Sequence, residues 1–211
     1  MNNSGNIILS ILIPSIPKRK DKLNSLLSEL TRQRKEVAQH EMLGIVEIIF
    51  DDSKGFLDGG LSIGKKRQRL VNLANGKYLC FLDDDESIAP NYVESLLRLC
   101  NFDLDICTFR AMSKLETAWG LVDMRLAYKF NDQFSPEFTI RRMPFHTCPV
   151  RSEFAKLYEF EDISNAEDSR WMQQVLTHCT TEAHTYKILF QYNHNGNHSE
   201  ADKIENHVHT K

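Results

Sequence analysis

The run Phe81-Leu82-Asp83-Asp84-Asp85-Glu86 sets four acids directly behind an apolar stretch, with Pro90 shortly after. Adjacent carboxylates repel one another. A solvated turn ahead of a helix accounts for one or two of them, since carboxylates favour the positive end of a helix. It does not account for three aspartates at the mouth of a buried strand. A divalent cation, which prefers hard carboxylate oxygen, would remove the repulsion. Metal binding by this run is the expectation.

Three further groups of residues could take part in chemistry. Asp51-Asp52-Ser53 closes a second apolar run. It reads as an ordinary turn by itself, but either aspartate could accept hydrogen bonds from a nucleotide base or ribose. Gly64-Lys65-Lys66-Arg67-Gln68-Arg69 could open a helix whose N–H groups and cations face phosphate. Taken singly, Lys66 and Arg69 read as exposed helix surface. Late in the chain stand two Glu-Asp pairs, Glu161-Asp162 and Glu167-Asp168. The second also reads as a helix start, with Asn165 as N-cap and both acids in the first turn.

The elements that must position these groups follow from periodicity. Asn6–Ile13 and Gly44–Phe50 are continuous β-branched runs, as expected of strands buried on both faces. Between them, Leu23, Leu26, Leu27 and Leu30 recur at helical spacing over 21–37. Lys65–Gly76 reads as a helix ending on Gly76 as a left-handed C′ residue, and Lys77–Leu82 as a third strand. Pro90 suits the first turn of a helix carrying Val93, Leu96, Leu97 and Leu99, and Asp103–Phe109 could be a fourth strand. Beyond about residue 110 the pattern loosens to a mixed segment, a helix over 167–178 and a strand over 183–192. Alternation of strand and helix predicts an α/β fold with a mostly parallel, Rossmann-like central sheet flanked by helices. In such sheets ligands bind outside the carboxyl ends of the strands, where the acids and the basic loop Lys18-Arg19-Lys20 would meet.

Composition narrows the class. The 211 residues are 41% hydrophobic and 26% charged, which suits one domain over 1–211. A formal net charge of −3 gives no reason to expect nucleic acid or an anionic membrane as partner. The longest apolar run, Ile7–Pro14, is far short of the roughly 20 residues of a membrane span and reads as a strand rather than a signal peptide. Cys80, Cys100, Cys107, Cys148 and Cys179 show no CxxC spacing and read as reduced, mostly buried thiols of an intracellular chain.

Taken in order, ILIPSIPKRK, VEIIFDDS, GKKRQRLVNLANGKYLCFLDDDESIAP and NAEDSRW resemble the landmarks of family-2-like glycosyltransferases of the GT-A fold. The resemblance covers about 7–100 well and 160–200 thinly. It implies a nucleotide-binding half over about 1–110 and an acceptor-binding half over about 111–211. Pro14, Ser15 and Asp52 then correspond to the nucleotide pocket, and Arg67 to an arginine facing the diphosphate. Asp83 and Asp85 fill the outer positions of an Asp-x-Asp motif, with Asp85 on a Mn²⁺ or Mg²⁺ ion and Asp83 on the ion or the ribose. Asp84 stands between them in the donor site. Asp168 corresponds to the base, Glu167 to its partner, with Asp162 the rival within the chain. Family members often add a late histidine to the metal or phosphate, for which His194 and His198 both qualify. The chain departs from the pattern at Ser15–Arg19, at Gln68, and throughout 110–150.

These readings imply a metal-dependent, inverting transfer of sugar from a nucleotide-sugar donor, with UDP the expected nucleotide, to a saccharide or other hydroxyl acceptor. A cytoplasmic location is expected, where such donors are made. A nucleotidyl- or phosphotransferase using the same carboxylates, or a non-catalytic nucleotide-sugar-binding module, are the alternatives.

Overall fold

The structure, a computed structural model, describes residues 7–39, 44–115, 118–128, 133–134 and 139–192. Strand β1 (Ile7–Pro14) leads into helix α1 (Lys20–Val37), then β2 (Ile45–Asp51), α2 (Ile63–Leu73) and β3 (Tyr78–Phe81). The short β4 (Ser87–Ile88) precedes α3 (Tyr92–Cys100), followed by β5 (Ile106–Leu115), β6 (Ala118–Met124), β7 (Gln133–Phe134) and β8 (Thr139–Arg142). The chain closes with β9 (Val150–Arg151), α4 (Ser152–Ala155), α5 (Glu167–Leu176) and β10 (Glu182–Tyr192).

The apolar run of β1 lies at the centre of its half of the sheet, parallel to β2 on one side and β3 on the other. Leu9, Ile11, Leu12 and Ile13 are accordingly fully buried, as a strand covered on both faces requires. Strand order is β2-β1-β3-β9-β5-β6-β8-β7, with β10 parallel to β5. The expected fourth strand therefore runs parallel to β3 but is not its neighbour. The two-residue β9 sits between them, antiparallel to both. The segment after residue 110, irregular in sequence, widens the sheet through the β5–β6 antiparallel ladder and the parallel β6–β8 pair. The result is a mixed sheet, flanked by helices, in which β2-β1-β3 and β5-β10 share one carboxyl edge while the β6–β8 pair runs the other way.

Helix α1 turns Leu23, Leu26, Leu30 and Val37 inward, the face that its leucine spacing marks. Helix α2 starts two residues earlier than the basic run suggests, because Ser62 caps it by accepting from the Lys65 N–H at 3.1 Å. Two terminus assignments need correction. Gly76 is not a left-handed C′ cap: α2 ends at Leu73, Ala74 is extended, and Gly76 has no positive φ. Its lack of a side chain serves close packing instead, since a Cβ there would stand 2.6 Å from the Ser10 N and Oγ of β1. Pro90 lies ahead of α3 rather than in its first turn, with Asn91 at the N-cap position.

Candidate active site

The parallel strands bring Ser15 after β1, Asp52 after β2 and Asp83–Asp85 after β3 to one edge, tied by the Ser15 N–H donating to the Asp51 carbonyl at 2.8 Å. The three aspartates do not face a common point. Asp83 Oδ1 lies 3.2 Å from Arg67 Nη2. Asp84 turns inward with no side-chain exposure, accepting from Ser15 Oγ at 2.6 Å and from Arg19 Nη1 at 2.9 Å. Asp85 Oδ2 faces Arg19 at 3.4 Å and Lys22 at 3.6 Å. Burial pushes the Asp84 carboxyl up while Ser15 and Arg19 oppose the shift. Much of the repulsion expected within the run is thus met by basic side chains of the chain itself. Asp84 acts as a clamp between β1 and β3.

A second group lies beside Asp83. Arg67 points from α2 into the sheet edge with 3% of its side chain exposed, 5.0 Å above the Phe81 ring and with Nε 3.2 Å from Glu167 Oε1. Burial works against its charge, but Asp83, Asp168 and Glu167 outweigh that and raise its pKa. His146 enters from the segment between β8 and β9, its carbonyl accepting from the Phe81 N–H at 2.9 Å. The ring is 3% exposed and packs 4.2 Å from Phe145. Its Nδ1 stands 3.0 Å from Asp168 Oδ2, off the line of an aligned hydrogen bond, and its Nε2 stands 4.0 Å from Asp83 Oδ2.

These contacts set protonation. Burial and the adjacent Arg67 push His146 below the usual imidazole range, so it is neutral at pH 7 despite Asp168 and Asp83. Burial pushes Asp168 up, but His146, Arg67 and the Ser169 N–H at 2.6 Å outweigh it and hold the carboxyl below the usual range. Glu167, whose side chain is 5% exposed, is pushed up to about 6 by burial, with Arg67 pulling the other way. The two acids start α5 after Ala166, whose φ of 61° and ψ of 9° are left-handed. Ala166, not Asn165, is the N-cap residue, and it makes no capping bond. A non-glycine residue in that region costs roughly 1–2 kcal/mol, and such strain collects at functional sites.

The remaining candidates are dispersed. Asp52 is exposed, while Asp51 accepts from the Ser53 N–H at 3.0 Å and faces Arg69 at 3.3 Å. Arg69 is exposed as expected, but Lys66 is not. Only 2% exposed, Lys66 donates to the Ser15 and Ser53 carbonyls and so braces the β1 and β2 ends. Its place in a basic run, next to the exposed Lys65, gave no hint of that. Asp162 is 57% exposed, facing Lys65 at 2.6 Å and accepting from Ser62 Oγ at 2.7 Å. His194 and His198 lie outside the described residues. His146 was missed in sequence. Its signal, a histidine among apolar residues between Pro144 and Pro149, is faint.

Among the described residues no three His, Cys, Asp or Glu side chains form a metal cluster. Asp83 and Asp85 remain partly open, at 26% and 32% side-chain exposure. A pair of carboxylates suits an ion such as Mg²⁺ that takes one or two protein oxygens and completes its shell with water and substrate phosphate. The donor types therefore fit the expected ion, while the two carboxylates here turn to different cations, Asp83 to Arg67 and Asp85 to Arg19 and Lys22.

A sequence profile described as Glycosyl transferase family 2 matches residues 57–165. That span includes Arg67, Asp83–Asp85 and His146 and stops just before α5. EpsH of Bacillus subtilis (strain 168), named as a glycosyltransferase, is 27% identical over 71 residues, 34% of this chain and 21% of EpsH. Residues 1–349 of S. aureus TarS superpose with a TM-score of 0.61 at 12% identity, covering 89% of this chain and 60% of that one. The same fragment in complex with UDP-GlcNAc gives 0.60 at 11% identity over 93% and 61% of the two chains. It has also been solved in complex with UDP. At these identities the likeness is one of fold, and the chain spans about a fifth of EpsH and about three fifths of the TarS fragment.

Proposed function

This chain belongs to glycosyl transferase family 2, and on that premise we propose that it moves a sugar from a nucleotide-sugar donor to an acceptor hydroxyl. One observation carries the reading. Charged and titratable groups from four separate segments, Arg67, Asp83, His146 and Glu167-Asp168, converge at the carboxyl edge of the sheet. A UDP-linked donor is supported by the UDP and UDP-GlcNAc complexes of the TarS fragment.

Asp168 is the base that takes the acceptor proton as the hydroxyl oxygen bonds to the anomeric carbon and the bond to the nucleoside diphosphate breaks on the opposite face, a single displacement that inverts that carbon. Asp168 is the more open of the two acids, its side chain 17% exposed where that of Glu167 is 5%, so an acceptor hydroxyl can reach it. Glu167 orders Arg67 rather than meeting the acceptor. Arg67, with Asp83 beside it, offers positive charge where a departing diphosphate would gather negative charge. Asp83 and Asp85 would hold Mg²⁺ or Mn²⁺, which when bound supplies further positive charge to the leaving group. Pro14, Ser15 and Asp52 line the nucleotide side.

The test is to incubate the protein with a panel of nucleotide sugars, with Mn²⁺ or with a chelator, and to identify the products. Metal-dependent release of free nucleoside diphosphate is expected. Pyrophosphate would mark a nucleotidyl transferase, and binding without any turnover would mark a module that only holds the donor. Either result would overturn the proposal.

A further inference from the structure

Strand β2 lies at one end of the sheet. It pairs with β1 along one side, and among the described residues no strand pairs with the other. Such edges are usually blunted by proline, a bulge or outward charge. The register against β1 shifts once, by one residue of β1 between the Ile7–Ile45 and Leu9–Val46 pairs, and is unbroken from Val46 to Asp51; β2 itself contains no proline. Glu47, the mid-strand charge, is spent internally on Ser10 Oγ and the Asn75 and Gly76 N–H groups.

Side chains alternate across the sheet. Ile45, Glu47, Ile49 and Asp51 lie on the face of α2, as the Glu47–Asn75 and Asp51–Arg69 contacts show. Val46, Ile48 and Phe50 lie on the opposite face. Ile45 and Phe50 are both 46% exposed, and Ile48 and Ile49 are half-buried. Apolar groups are thus exposed on both faces of an unpaired edge, the pattern that an added strand would cover.

We propose that β2 is a dimerisation edge, at which a second copy of this chain adds its own β2 antiparallel about a two-fold axis perpendicular to the sheet. That axis brings like faces together, so each pair joins residues of the same alternation class. Full overlap puts the axis at Ile48: Ile48 beside Ile48, Val46 beside Phe50, Glu47 beside Ile49 and Ile45 beside Asp51. The neighbouring allowed registers do worse. An axis at Glu47 sets Glu47 against Glu47, and an axis at Ile49 sets Glu47 against Asp51. Like charges directly opposite destabilise a strand pair. The register with complete overlap therefore opposes no two acids, which is the self-complementarity that an isologous interface needs.

Sedimentation velocity on the full chain at about tens of micromolar should give twice the 24.5 kDa chain mass. Ile45→Lys with Phe50→Lys should halve it, with far-UV circular dichroism confirming the fold. Ile48→Cys, oxidised with copper–phenanthroline, should give a covalent dimer that the wild type does not, its own cysteines being mostly buried. If the double-lysine variant does not fold, this crosslink decides. A monomeric wild type, a dimer that survives both lysines, or an Ile48→Cys variant that crosslinks no faster than wild type would each overturn the proposal.

Discussion

Two Glu-Asp pairs stand six residues apart in this chain, and they end in opposite environments. Glu161 faces Arg170 at 2.6 Å and Asp162 faces Lys65 at 2.6 Å, both acids about half exposed. These are surface ion pairs of the kind that contribute little. Glu167 and Asp168 are enclosed, with Arg67 and His146 on the far side and a strained Ala166 ahead of them. The residue types are the same, so chemistry comes from what surrounds them. Asp162 is useful in another way: through Ser62 it fastens the start of α2, the helix that carries Arg67.

That contrast can be pressed hardest at Arg67. Arg67→Met leaves Glu167 and Asp83 without their buried cation, and breaking such a pair costs about 3–5 kcal/mol. Urea unfolding should show a loss of that order, and a midpoint within error of wild type would mean that the enclosed pair does not depend on Arg67.

A smaller effect should come from Glu167. Its carboxyl titrates near 4.5 when unfolded and at about 6 when folded, so the folded state binds more protons between those values and stability falls as pH rises through that window. The difference corresponds to about 2 kcal/mol. Glu167→Gln removes this slope, so the stability of wild type relative to the variant should decline from pH 4.5 to 6 and then level off. Parallel stability profiles would remove the burial argument for Glu167. The smallest change is expected at Asp162, where Asp162→Asn should leave both the melting midpoint and the transfer rate near wild type.

Local pattern made much of the fold legible. The apolar run of β1, the leucine spacing of α1 and the strand-to-acid transition at Asp83 all appear in the structure where the sequence places them. Features set by distant partners were not legible. Gly76 looked like a helix cap because it follows a helix, whereas its constraint comes from Ser10. Lys66 looks exposed in a basic run beside Lys65, but the Ser15 and Ser53 carbonyls, just past the ends of β1 and β2, draw it inward. His146 lies in the segment with the weakest periodicity, and only β3 packing against it brings it to Asp168. The cations that lie against the acid run, Arg19, Lys22 and Arg67, come from distant parts of the sequence, so the run looks unbalanced when read alone.

In the proposed reaction Asp168 activates the acceptor while Asp83 and Asp85 serve the donor. Asp168→Asn keeps the shape of the side chain and removes its basicity. Measured with the donor that the wild type uses, the variant should bind donor and metal normally, while transfer falls by about 10²–10⁴-fold, the usual contribution of a general base. Full transfer in Asp168→Asn, or the same loss in Asp162→Asn, would contradict the assignment.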